Sequence, residues 1–174
     1  MNRLGLLTGI FTCIILLLPF IPIGIYFWNG VTSTVEINSF VKFPVSMVNF
    51  NNVQYFLWGI SNGNTFNFWI NSNSIAFIIT FIFLTILSFL AIIFSFIGCA
   101  KENPTGKKYM SYSFYALIFI VLYTIFGFTI YSEEIFNINF DFLEIIYYLD
   151  YGFYILLLNL FLSYIAYKKH QIKK

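Results

Sequence analysis

The sequence predicts an all-α membrane protein: a four-helix transmembrane bundle, up-down, with both termini cytoplasmic and a small extracellular β-sheet formed by loop one. Three observations carry this. The 174 residues are 60% hydrophobic, 23% aromatic and 9% charged. Soluble domains run at about 45–50% apolar and about 25% charged. Sixteen charged side chains (9 Lys and Arg, 7 Asp and Glu) cannot solubilise the surface that a soluble fold of this length leaves wet. Composition therefore excludes a nucleic-acid-binding module, a disulfide scaffold, a disordered tail and a globular enzyme.

The second observation is four apolar runs of spanning length, each near the roughly 20 residues a hydrocarbon core requires. They cover residues 4–28, 75–100, 112–131 and 146–167. The third is charge placement. Arg3, Lys101, Lys107, Lys108, Lys168, Lys169, Lys173 and Lys174 fall on one side of the spans, and of the bases only Lys42 falls on the other. Six of the seven acids (Glu36, Glu133, Glu134, Asp141, Glu144, Asp150) lie with Lys42, and Glu102 is the exception. The positive-inside rule then places both termini in the cytoplasm or its equivalent. The plasma membrane is the favoured location and an organellar inner membrane the alternative.

Taken in order, span one carries Gly5 and Gly9 on a small-residue stripe, and Pro19 and Pro22 should bend its outer half. Loop one, residues 29–74, faces outward. Val31, Ser33, Val35 and Ile37 alternate with Thr32, Thr34, Glu36 and Asn38, the period of a half-buried strand. Asn62-Gly63 lies between two apolar-rich runs and predicts a type I′ hairpin. That turn pairs Ser61 with Asn64, Gly59 with Phe66, Leu57 with Phe68 and Tyr55 with Ile70. One face then carries Tyr55, Leu57, Phe66, Phe68 and Ile70, and the other Phe56, Trp58, Ile60 and Trp69. Both faces are apolar, so each needs a cover. Pro44 should interrupt the stretch between the strands. The alternative is an irregular loop whose aromatics form an interfacial belt.

Span two carries Ser88, Ala91, Ser95 and Gly98 on one line. Asn103, Pro104 and Gly106 make the short inner loop, residues 101–111, a tight turn. Asp150 reads as the cap of span four, where a carboxylate favours the helix dipole. Asn159, mid-span, shares a face with Gly152, Ser163 and Ala166. Small residues and one amide at this spacing read as helix seams.

The inventory for chemistry is thin. His170 is the only histidine, and beside Lys169 it reads as a solvated bystander. No His, Cys, Asp and Glu cluster has ligand spacing, so neither a metal nor a cofactor is expected. Cys13 reads as a packing residue. Cys99, near Lys101, is a candidate for S-palmitoylation, against an inert buried thiol.

The layout resembles the claudin and peripheral-myelin-protein superfamily of four-span proteins. Trp28 ends span one like that family's tryptophan. Leu57-Trp58 sits in the first outer loop like its Gly-Leu-Trp, with Phe56 in place of the glycine. Gly152 and a following aromatic open span four in a similar way. The family usually carries two cysteines in this loop; here the loop has none, and Ser61 stands where the first would be. The resemblance implies a left-handed bundle capped by an extracellular sheet. It also implies a non-enzymatic role in membrane organisation, cell contact or lateral self-assembly, with Trp28, Phe56, Leu57, Trp58, Asn62, Gly63 and Trp69 as interaction or structural residues. The expected partners are the lipid bilayer and either further copies or other membrane proteins, with no nucleic acid.

Two other classes remain open. With 28 Ile, 24 Phe, 13 Tyr and five Ala, the chain also suits an accessory subunit of a larger membrane complex, for instance respiratory. A channel or transporter component is the third reading, although no ionisable residue lies deep in a span.

Overall fold

A computed structural model describes residues 2–17, 20–29, 34–44, 46–50, 53–56, 59–62, 65–68 and 74–170; for residues 17, 20–29, 34–44, 62 and 65–68 only the backbone is described. Among the described residues, five α-helices and six strands follow the chain. They are α1 (Arg3–Thr12), β1 (Phe20–Asn29), β2 (Thr34–Pro44), β3 (Val48–Phe50), β4 (Val53–Tyr55), β5 (Gly59–Asn62), β6 (Thr65–Phe68), α2 (Ile75–Ala100), α3 (Pro104–Ile130), α4 (Ser132–Phe136) and α5 (Tyr151–Lys168). A π turn, Cys13–Leu17, extends α1, and a 3₁₀ turn, Ile145–Tyr148, precedes α5.

Three helices, α2, α3 and α5, are long and apolar enough to cross a membrane. The span expected over residues 75–100 coincides with α2. The other boundaries move. The expected span of residues 4–28 is helical only through Leu17, and Phe20–Asn29 is a strand. The apolar helix Arg3–Leu16 rises only about 21 Å, short of a hydrocarbon core of about 30 Å. Proline explains the break: it disfavours α geometry in the residue before it and has no N–H. Pro22 thus disfavours helix at the start of β1, and Pro19 lies outside the described residues. Through β1, Ile21, Ile23 and Ile25 alternate with Pro22, Gly24 and Tyr26, a strand period that hydropathy alone does not reveal. Pro22 lies in β1, the edge strand of the sheet, where a missing donor is tolerated.

The inner loop is shorter than expected. Asn103 caps α3, its side-chain oxygen accepting from the Gly106 amide at 2.8 Å, and Pro104 occupies the first turn. Lys107 and Lys108 are therefore helical. Proline at that position loses no intrahelical bond. The last helix starts later than residue 146. Asp150 is its cap, as the sequence indicates, and accepts from the Tyr151 amide at 2.8 Å.

The sheet is antiparallel, in the order β1-β2-β6-β5-β4-β3. Pro44 ends β2, consistent with its expected interruption. Between β1 and β2 the register slips after Ile23↔Val41 to Gly24↔Ser39, leaving Phe40 as the extra residue of a bulge. The β5–β6 hairpin is offset from the expected one. Asn62 pairs with Thr65, Ser61 with Phe66 and Gly59 with Phe68. Asn and Gly occupy positions 62, 63 and 64, and both residue types accept the positive φ of a two-residue turn. The sequence therefore offers two placements of the turn.

The run of residues 53–61 is also not one strand. It folds back on a bond from the Phe56 amide to the Gly59 carbonyl at 2.9 Å. Tyr55 consequently lies opposite Ile60 on one face, rather than on the opposite face as expected, and Phe56 is buried.

The helices form a ring in which α1 packs on α2 and α5, and α3 packs on α2 and α5. One core runs from Ile15, Leu84 and Leu117 through Phe128 and Ile135 to Val48, Phe50 and Tyr55 in the sheet. Bundle and sheet are thus continuous.

Candidate functional site: the sheet seat and the helix seams

The sheet sits on the bundle through its β3 edge. Val48 bridges Leu149 in antiparallel fashion. The Asp150 amide donates to the Met47 carbonyl at 3.0 Å, and the Gly152 amide donates to the Ser46 carbonyl at 2.9 Å. The Ser46 hydroxyl donates to the Asp150 carboxylate. Ser46, Met47 and Val48 are fully or nearly fully buried. Asp150 therefore does two things: it caps α5 and it holds the strand. Gly152, expected at a helix seam, bonds this seat through its backbone amide.

Aromatic rings lock the same junction. Phe50 meets Phe136 at 5.6 Å, Phe140 at 5.2 Å and Tyr148 at 5.0 Å, all edge-on. Tyr55 meets Phe136 at 4.7 Å. Edge-to-face pairs of this kind add about 0.5–1.5 kcal/mol each beyond the area they bury. Burial pushes the Tyr55 phenol above its ordinary value. At the same end Glu134 serves α2. The first turn of α2 has no side-chain cap of its own, and the Glu134 carboxylate accepts from Ser74 Oγ at 2.9 Å and from the Ala76 amide at 3.4 Å. A carboxylate at a helix N-terminus is favoured by the dipole.

Several residues on the small-residue stripes touch neighbouring helices. A Cβ added at Gly5 would lie 2.9 Å from Met110 Sδ and 3.1 Å from Cys99 Cβ, and one added at Gly9 would lie 3.3 Å from Ser95 Oγ. Ser95 Oγ donates to the Gly5 carbonyl at 2.6 Å and lies 3.0 Å from Thr8 Oγ1. Asn159, fully buried, donates to Thr12 Oγ1 at 2.9 Å, joining α5 to α1. Its own carbonyl oxygen and the Ser163 hydroxyl are buried without a partner. Ser88 bonds only its own helix, at the Leu84 carbonyl. Cys99 is 3% exposed and its thiol donates to the Phe96 carbonyl at 3.1 Å. The inert-thiol alternative fits that burial, and an acyl chain there requires the helix ends to part.

His170 is not a solvated bystander. It is 6% exposed and closes the basic end of the bundle. Asn2 is the hub. Its amide N–H donates to the Cys99 carbonyl at 2.9 Å, and its side chain donates to the Ala166 carbonyl at 2.8 Å and faces His170 Nδ1 at 3.3 Å. Burial first, then the nearby Lys107 and N-terminal charges, hold the His170 ring below the ordinary histidine value; backbone carbonyls of Lys101 and Asn103 act the other way. Hydropathy carries no signal for this contact, because it joins residues 168 apart in sequence.

Trp28 and Asn62 lie in β1 and β5 with only their backbones described. Leu57, Trp58, Gly63 and Trp69 lie outside the described residues.

Among the described residues, three helices are long and apolar enough to cross a membrane. Comparison with protein-family models, curated proteins and solved structures finds no match to this chain.

Proposed function

We propose that this chain is a non-enzymatic four-span membrane protein with both termini cytoplasmic, acting in membrane organisation, cell contact or lateral self-assembly through its first outer loop. The observation that supports this reading most is the seating of the loop-one sheet. Its β3–β4 edge is fixed by backbone bonds to the start of α5 and by the Phe50 and Tyr55 ring contacts, which supports a fixed presentation of the loop. Rigid presentation lowers the entropic cost of association. The claudin-like resemblance supports the same reading through Trp28 and the Leu57-Trp58 pair.

Blue-native electrophoresis of the full chain from its own membrane tests this. Bands at multiples of the 20.4 kDa chain are expected. Migration solely within a large heteromeric complex would overturn self-assembly in favour of the accessory-subunit reading.

A further inference from the structure

The segment joining α4 to α5 borders a cavity beside the sheet seat. A cavity of about 440 Å³ opens there, its wall including Phe50, Asn139, Phe140, Glu144, Tyr147 and Tyr148. Cavities that hold small ligands start at about 300 Å³. Phe50, Phe140 and Tyr148 pack mutually with centroids 5.0–5.2 Å apart, so the aromatic floor is fixed. Tyr147 stands in solvent at its rim, 85% exposed. Glu144 is the carboxylate of the wall. One of its oxygens accepts from the Asp141 amide at 3.0 Å, and among the described residues no cation lies within ion-pair distance of it.

From this geometry we infer that the cavity is a binding site for an ammonium ion of the quaternary, choline type. Aromatic walls attract a cation through the ring quadrupole, most strongly one that is weakly hydrated. A single carboxylate supplies the countercharge but not the several oxygens that a hard metal ion demands. Local charge agrees: Glu133, Glu134, Asp141 and Asp150 lie at this same end of the bundle. The cavity also lies past the apolar end of α3 at Ile130, the level at which headgroups begin. The ammonium therefore belongs either to a phosphocholine lipid headgroup or to a free solute. The lipid source rests on the membrane reading above; the site itself does not depend on self-assembly.

The test uses the full chain in phosphatidylglycerol nanodiscs, titrated calorimetrically with choline chloride against sodium chloride at equal ionic strength. Saturable binding of choline alone is expected. Glu144→Gln and Tyr147→Ala should each weaken it about three- to tenfold, and Tyr147→Phe, which keeps the ring, should not. Thermal midpoints of the variants check that the fold is kept. A second arm weighs lipid retained on purification from mixed phosphatidylcholine and phosphatidylglycerol. Phosphatidylcholine enrichment that choline displaces supports the site with the headgroup as source. Choline binding without enrichment supports it with a free solute. No saturable choline binding, or binding unchanged in both Glu144→Gln and Tyr147→Ala, overturns it.

Discussion

Acid should loosen the basic end of the bundle, through one proton on His170. The Asn2 side chain donates to the Ala166 carbonyl at 2.8 Å while its oxygen accepts from the Gly5 amide at 3.2 Å. These two bonds fix which end of the amide faces His170, so Nδ1, 3.3 Å away, must accept and the neutral ring must carry its hydrogen on Nε2. A second proton makes Nδ1 a donor facing a donor. One hydrogen bond is lost, about 1 kcal/mol, and the charge is placed in a buried site beside Lys107 and the N-terminus. The folded-state value lies below the ordinary 6.5, so between the two values the unfolded chain binds more protons. Stability is then full above the ordinary value. It declines as pH falls through the lowered one, with a slope of at most about 1.4 kcal/mol per pH unit for one proton. Thermal unfolding in nanodiscs from about pH 7.5 to about pH 5 measures this in the window where histidine titrates. His170→Gln should flatten the dependence, and nitrogen NMR should report the Nε2–H tautomer. An equal slope in His170→Gln, or an Nδ1–H tautomer at neutral pH, would refute the reasoning.

Three further outcomes follow from contacts in the bundle and its cap. Gly106→Ala places a Cβ 2.0 Å from the Lys101 carbonyl oxygen, a backbone clash, so it should cost more than about 3 kcal/mol and abolish a monodisperse preparation by size-exclusion chromatography. Asn159→Ala and Thr12→Val should each destabilise, with a coupling of about 0.6–2 kcal/mol between them in a double-mutant cycle of unfolding. Phe50→Ala should cost about 3–5 kcal/mol and expose the loop-one sheet to limited proteolysis while α2 and α3 stay protected.

How much of this was legible in the sequence varies with the physics. Long uninterrupted apolarity fixed the bounds of α2, and local chemistry fixed the caps at Asn103 and Asp150, because both signals are contained in a few adjacent residues. The end of α1 was misread because hydropathy scores Ile21, Ile23 and Ile25 alike in a helix and in a strand; Pro19 and Pro22 held the correction. The hairpin register depended on which of two Asn and Gly pairs takes the turn, and no local rule separates them. The seams at Gly5, Gly9, Ser95 and Asn159 were visible as spacing. Their partners, and the roles of His170, Glu134 and Phe50, depend on contacts between distant parts of the chain.

The role proposed for the seated loop-one sheet is association between copies of this chain. Single-molecule photobleaching of the labelled full chain, reconstituted in liposomes at dilute protein-to-lipid ratio, tests it most directly. Several bleaching steps per spot are expected for the native chain, and single steps for a Trp58→Ser, Asn62→Ala, Gly63→Ala variant whose thermal midpoint is retained. Single steps for the native chain at every ratio, or unchanged multiple steps in that variant, would contradict it.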